Sequence, residues 1–193
     1  MTDSTSLELP PLYESLTWLT PLSEERAAHH VAFLSDPAPT EVLDMGCGWG
    51  ELLLRVLTSA PQPLDYAAAL RALRALVLPG GRLVYGEAIW SATPHPAATA
   101  LLNGRDDEYL TQDALREQIS AAGFEVVDDD QASVQEWDVF EAGYRDRFTR
   151  WLEANDADHP AAEQVRRQYE QQRAAYEEGY RGVLGMAYFR LRG

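Results

Sequence analysis

The spacing of apolar residues divides the chain into alternating strands and helices. Short apolar runs, which are typical of buried strands, cover residues 42–43, 82–90, 124–127 and 184–191. Apolar residues at intervals of three and four predict helices after the capping residue Ser23, from residue 51, over residues 66–77, and from Thr111 to Gly123. Strands that alternate with helices in this way indicate an α/β fold.

Between the last two predicted strands, two long helical stripes carry many aromatic residues. They comprise Trp137, Phe140, Tyr144, Phe148 and Trp151 on the first helix, and Val165, Tyr169, Tyr176, Tyr180 and Val183 on the second. Two interpretations stay open. The stripes either pack against each other and the sheet, or form a lid whose rings face a substrate and attract a cation through their π faces.

The remaining segments are predicted to be irregular. Residues 1–21 contain Pro10 and Pro11 and are predicted to form an arm. Its apolar residues, which include Tyr13 and Trp18, are expected to pack against another part of the protein. Residues 91–105 are predicted to be a loop. The acidic run 128–130 is predicted to be a solvated exit from the strand before it.

The most informative stretch is the glycine-rich turn between the first strand and the next helix. Asp44 precedes three glycines at alternate positions, Gly46, Gly48 and Gly50. Without side chains there, a ligand can lie against the backbone and face the positive end of the helix. The spacing differs from a dinucleotide fingerprint, and no Gly-Lys-Ser/Thr follows as in a P-loop. A glycine turn without a ligand is the alternative.

The string Leu-Asp-Met-Gly-Cys-Gly-Trp-Gly at residues 43–50 resembles the first motif of class I S-adenosylmethionine-dependent methyltransferases. Residues 72–83 and 121–127 resemble the segments that lead into strands five and six of the same family. The resemblance implies a Rossmann-like sheet with helices on both faces, an antiparallel last strand and S-adenosylmethionine as cofactor. It assigns cofactor binding to Asp44, Gly46, Cys47, Gly48, Trp49 and Gly50. Candidates for contact with the methyl acceptor are Tyr13, Trp18, Trp90, Trp137 and Tyr144.

The resemblance also exposes a shortened core. The family places strands two to four between the glycine loop and the helix before strand five, a block of about 50 residues by typical element lengths. Here only residues 51–64 are available. We therefore expect the strand at Val42 to lie beside the strand at Leu83. Asp65, which follows this interval, is predicted to be a helix cap rather than a replacement ribose ligand.

The whole chain is predicted to be a single methyltransferase-like domain. An N-terminal arm and helix cover residues 1–40, and the shortened core covers residues 41–132. A helical lid insertion follows over residues 133–183, and the last strand covers residues 184–193.

Charge and composition narrow the range of partners, cellular locations and site types that the chain can have. The net charge of −15 disfavours nucleic acid and anionic membranes as partners. Cys47 is the single cysteine, so no internal disulfide can form and a cytoplasmic location is expected. It is predicted to be a small loop residue rather than a nucleophile. The four histidines are scattered, and no metal site is predicted.

The sequence thus predicts methyl transfer to a small-molecule acceptor, impaired by the loss of the middle strands. Two other hypotheses remain. One is a non-catalytic, methyltransferase-like protein that has lost its cofactor site. The other is a homodimer in which each copy completes the truncated sheet of its partner.

Overall fold

A computed structural model describes residues 9–11, 14–36, 66–100 and 105–193. The chain divides into two compact units. The sheet unit comprises Ser23–Trp90, Tyr109–Gln131 and Gly185–Gly193, and the helical unit comprises Met1–Leu22, Ser91–Glu108 and Ala132–Leu184. The predicted division into arm, core, lid and last strand stays a prediction.

The described elements alternate as the apolar pattern predicts. In chain order they are α1 (Glu24–Ser35), α2 (Tyr66–Leu76), β1 (Arg82–Trp90), α3 (Pro96–Thr99), α4 (Gln112–Ala121), β2 (Glu125–Gln131), α5 (Val134–Ala154), α6 (Ala162–Ala174), a π-helix (Ala175–Tyr180) and β3 (Leu184–Arg192). The strand at Val42, the glycine loop with its helix, and Asp65 lie outside the described residues. The predicted pairing of Val42 with Leu83 is therefore untested.

Within the described part of the chain, three strands form a sheet in the order β1-β3-β2. The last strand in sequence is therefore the middle one. It runs antiparallel to β2, with Val126 opposite Leu191 and Asp129 opposite Phe189. This confirms the antiparallel last strand that the family resemblance implied, and it confirms the α/β class.

The core of the sheet unit lies on one face of β3. Ala187, Phe189 and Leu191 alternate along the strand, so all three point the same way, and each is fully buried. They pack with fully buried residues of two helices, namely Leu70 of α2 and Leu115 and Ile119 of α4. Helix α4 stops at Gly123, whose φ of 93° favours glycine. The apolar stripes predicted from sequence thus form this core.

The acidic run is not a solvated exit, so that prediction is wrong. Asp128, Asp129 and Asp130 all lie within β2. Arg190 of β3 donates to Asp128 at 2.5 Å and to Asp130 at 3.1 Å, and Arg116 of α4 donates to Asp129 at 2.5 Å. Three consecutive acids can extend a strand here because arginines from neighbouring elements neutralise them.

The helical unit contains α5, α6 and the π-helix. Helix α5 begins with a capping box, in which Ser133 and Glu136 bond each other's backbone N–H groups. Phe148 and Trp151 of α5 pack with Val165 of α6, so this part of the two aromatic stripes packs together. The loop predicted at residues 91–105 includes the short helix α3, which His95 caps by accepting the Ala98 N–H.

Candidate functional site

The candidate site in the helical unit is a cluster of two acids and two tyrosines. Asp138 and Glu141 lie three residues apart on α5, while Tyr176 and Tyr180 lie four residues apart on the π-helix. Both spacings place the paired side chains on one face of their helix. We call these four residues the acid–tyrosine cluster.

Glu141 is the buried acid of the cluster, with 3% of its surface exposed. Its carboxylate accepts hydrogen bonds from the Tyr180 hydroxyl at 2.6 Å and from Gln172 Nε2 at 3.0 Å. Arg145 Nη1 lies 3.9 Å from the same carboxylate. Burial, and then the hydrogen bond to Glu141, raise the pKa of Tyr180 above its usual range. Tyr180 is therefore a protonated donor at neutral pH.

Asp138 forms the second acid–tyrosine pair and lies closer to solvent. Arg181 donates to both of its carboxylate oxygens, at 2.8 and 2.9 Å, and the Tyr176 hydroxyl donates at 2.7 Å. The hydrogen bonds from Arg181 and Tyr176 lower the pKa of Asp138 to about 2. Burial, and then the bond to Asp138, raise the pKa of Tyr176 above its usual range.

Aromatic rings surround these pairs. The rings of Tyr176 and Tyr180 meet edge to face, with centroids 5.3 Å apart. Trp137 meets Tyr180 at 6.1 Å and Phe140 at 6.0 Å, both edge to face. The Trp137 indole Nε1 is buried and has no hydrogen-bond partner in the described part of the chain. The two carboxylates thus hold the Tyr176 and Tyr180 rings in place within a buried aromatic group, because each accepts a hydrogen bond from one tyrosine hydroxyl.

Comparison with protein families gives no match to a family model. The uncharacterized protein YjhP of Escherichia coli strain K12 is 33% identical over 100 residues, which cover 51% of this chain and 40% of YjhP. A SAM-dependent methyltransferase of Geobacter sulfurreducens, solved in complex with S-adenosyl-L-homocysteine, is 30% identical with a TM-score of 0.55. That match covers 65% of this chain and 51% of the Geobacter protein. The chain thus spans about half the length of these two proteins.

A second SAM-dependent methyltransferase, from Thiobacillus denitrificans, supports the fold. It has a TM-score of 0.67 and 22% identity, and the match covers 96% of this chain and 99% of that protein. It too was solved in complex with S-adenosyl-L-homocysteine. The fold is that of a class I methyltransferase.

The cofactor residues expected in this methyltransferase fold lie outside the described residues. These are Asp44, Gly46, Cys47, Gly48, Trp49 and Gly50, together with the acceptor candidate Tyr13. Their assignment stays a prediction.

The other acceptor candidates occupy different surroundings. Trp137 and Tyr144 lie on one face of α5, two turns apart, and the guanidinium of Arg147 lies over the Tyr144 ring at 5.1 Å. Trp90 is buried at the end of β1, where its ring meets Tyr109 edge to face at 5.3 Å. Trp18 belongs to the arm and is 37% exposed. Of these four described candidates, Trp137 and Tyr144 share one helix.

Sequence analysis missed the acids of the cluster. Glu141 lies four residues after Trp137 and three before Tyr144, so it occupies the aromatic stripe of α5. A carboxylate inside an apolar stripe is the signal that could have identified it, because such a group must find donors when buried. Among the described residues, no group of three His, Cys, Asp or Glu side chains could hold a metal ion.

Proposed function

We propose that this chain binds S-adenosylmethionine and transfers its methyl group to a small-molecule acceptor. One observation carries the proposal: a protein 30% identical over 65% of this chain was solved with S-adenosyl-L-homocysteine bound. The motif at residues 43–50 agrees with it, since three glycines allow a ligand to approach the backbone. The cofactor would supply a methyl group on a sulfonium, which a nucleophilic atom of the acceptor displaces.

In this proposal the chain's own residues bind the cofactor, orient the two reactants and exclude water. Asp44, Gly46, Gly48 and Gly50 would hold the methionine and ribose side, with Trp49 nearby and Cys47 as a small residue of the loop. Holding two reactants in line supplies much of the rate of such a displacement, so a side-chain nucleophile is not required.

The negative charge and the aromatic residues of the chain support a small-molecule acceptor. A net charge of −15 opposes binding of nucleic acid or an anionic membrane. We assign acceptor contact to Tyr13, Trp18, Trp90, Trp137 and Tyr144, of which Trp137 and Tyr144 share a face of α5. None of the described helices is both long and apolar enough to cross a membrane. We place the enzyme in the cytoplasm on the grounds of its single cysteine.

We further propose that activity is reduced by the shortened core. The interval of residues 51–64 leaves no room for strands two to four, which in the family supply the ribose and adenine contacts. The two competing hypotheses follow from the same interval. A chain that has lost these contacts is either non-catalytic, or forms a homodimer that completes the sheet.

Equilibrium dialysis with radiolabelled S-adenosylmethionine tests the proposal, and native mass spectrometry of the same sample gives the oligomeric state. We expect weak, saturable binding to a monomer. Absence of saturable binding at millimolar cofactor would contradict the proposal in favour of the non-catalytic protein. Tight binding that appears only in a dimer would favour sheet completion between two copies.

A further inference from the structure

Helix α5 carries a glycine in its interior. Gly143 is the tenth residue of a helix of 21 residues. Glycine is among the weakest helix formers, because it loses the most backbone freedom on folding. Alanine at this position would stabilise the isolated helix, so the glycine needs another physical reason.

The reason lies in the N-terminal arm. Leu16 is only 8% exposed and its side chain lies directly over Gly143. A Cβ atom at position 143 would lie 2.9 Å from Leu16 Cγ and 3.1 Å from the Ser15 carbonyl oxygen, and it would overlap Leu16 Cδ2. The arm can therefore occupy this position only because residue 143 has no side chain.

Polar contacts continue the same row of α5. The Ser15 hydroxyl donates to Asp146 Oδ2 at 2.6 Å, and Arg150 Nη1 donates to the Ser15 hydroxyl at 3.1 Å. Arg150 also pairs with Glu14. Positions 143, 146 and 150 follow the helical spacing of three and four, so three consecutive arm residues contact one row of one helix.

These contacts suit reversible release. The Glu14 and Arg150 side chains are 40% and 33% exposed, so solvent screens their attraction. Glu14 lies in a 3₁₀ turn, and residues 15–22 lie in turns, bends and irregular chain. Segments outside helices and strands that are held by partly exposed polar contacts can open locally while the rest of a protein stays folded.

We propose that residues 14–16 form a releasable latch on α5, with Gly143 as its seat. In the closed latch, Leu16 covers Gly143 and Ser15 bonds Asp146. In the open latch, these contacts are lost while α5 remains helical. Opening uncovers the α5 surface beside Tyr144, and the link to acceptor entry at that surface rests on the proposed function.

Amide hydrogen exchange of the full chain, followed by mass spectrometry, tests the latch. In Gly143→Ala we expect exchange over residues 14–22 to accelerate at least tenfold, with no acceleration in α5 or in β3. Thr149→Ala is the matched control, because it changes an exposed residue of the same helix that makes none of the latch contacts described above. It should leave the exchange of residues 14–22 unchanged.

A double variant separates the latch from a general loss of structure. Leu16→Ala should open the latch by itself, and adding Gly143→Ala to it should have little further effect, since the two Leu16 atoms that collide most closely are gone. Wild-type exchange rates over residues 14–22 in Gly143→Ala would overturn the proposal. So would additive effects of the two substitutions, or wild-type arm amides that exchange as fast as in the unfolded chain.

Discussion

Glu141 shows how much one buried residue can organise. Its carboxylate receives the Tyr180 hydroxyl and Gln172 Nε2, so it holds the π-helix and α6 against α5. A buried carboxylate without donors would be strongly unfavourable, and removing it leaves the donors unpaired instead. The aromatic stripe of α5 could be predicted from its spacing, but the donors to Glu141 lie 31 and 39 residues further along the chain.

We expect Glu141→Ala to lower the free energy of unfolding by about 2–4 kcal/mol, because it removes the acceptor of the Tyr180 hydroxyl and of Gln172 Nε2 inside the protein. Urea denaturation measures this. The matched variant Glu153→Ala removes an exposed acid of the same helix and should change stability by less than about 0.5 kcal/mol. Equal effects of the two variants would contradict the role given to Glu141.

His30 of α1 is the residue that should make stability depend on pH. It is 8% exposed, and burial, followed by the charge of Arg190, lowers its pKa from 6.5 to about 4. Arg26 and His29 also lower the pKa, while Asp130 raises it. The unfolded chain therefore takes up a proton as pH falls below about 6.5, and the folded chain does so only near pH 4.

Folded-state stability should accordingly fall between pH 6.5 and 4, by about 1–3 kcal/mol after allowance for solvent screening. In His30→Gln this part of the pH dependence should disappear, while His29→Gln, which changes an exposed histidine, should keep it. Urea denaturation at pH 7 and pH 5 measures the difference. An identical pH dependence in wild type and His30→Gln would refute the assignment.

At the scale of elements, apolar spacing predicted most of the described structure. The strand predicted at residues 82–90 matches β1, and the helix after Ser23 matches α1. The acidic run in β2 was wrongly assigned, because its partner Arg190 lies about 60 residues away in sequence. Local composition cannot show a distant counter-charge. The π-helix was also missed, since it continues the spacing of a helix.

The arginine partners of β2 give a prediction for this element. Arg190 is 1% exposed, and its guanidinium forms ion pairs with the carboxylates of both Asp128 and Asp130. Asp128→Asn and Asp130→Asn should each be partly compensated by the remaining acid. The double variant should therefore lose about 3–5 kcal/mol, more than the sum of the singles. Chemical denaturation of the four proteins tests this, and simple additivity would contradict it.

For the whole molecule, the sequence predicted the fold class, and the structure confirms it. The cofactor site was also predicted from sequence, but it lies outside the described residues. The antiparallel pairing of β3 with β2 agrees with what the family resemblance implied for the last strand, whereas the order β1-β3-β2 was not predicted. The cofactor loop itself remains a prediction from residues 43–50. The acceptor cannot be predicted, because aromatic residues pack into cores and line binding sites with the same spacing.

Gly48→Val should abolish cofactor binding and leave the fold intact, because a branched side chain would occupy the ligand's approach to the backbone. Circular dichroism checks the fold, and binding is measured by dialysis against S-adenosyl-L-homocysteine. Wild-type affinity in a folded Gly48→Val protein would place the cofactor elsewhere.

The central claim is that this methyltransferase fold keeps the glycine loop but lacks the ribose and adenine contacts. Isothermal titration calorimetry of the purified chain with S-adenosylmethionine tests it most directly. Each lost charged hydrogen bond is worth about 1.5–3 kcal/mol, so two lost contacts weaken binding by roughly a few hundredfold or more. The account predicts a dissociation constant on the order of 100 μM or weaker. Micromolar or tighter binding would contradict it.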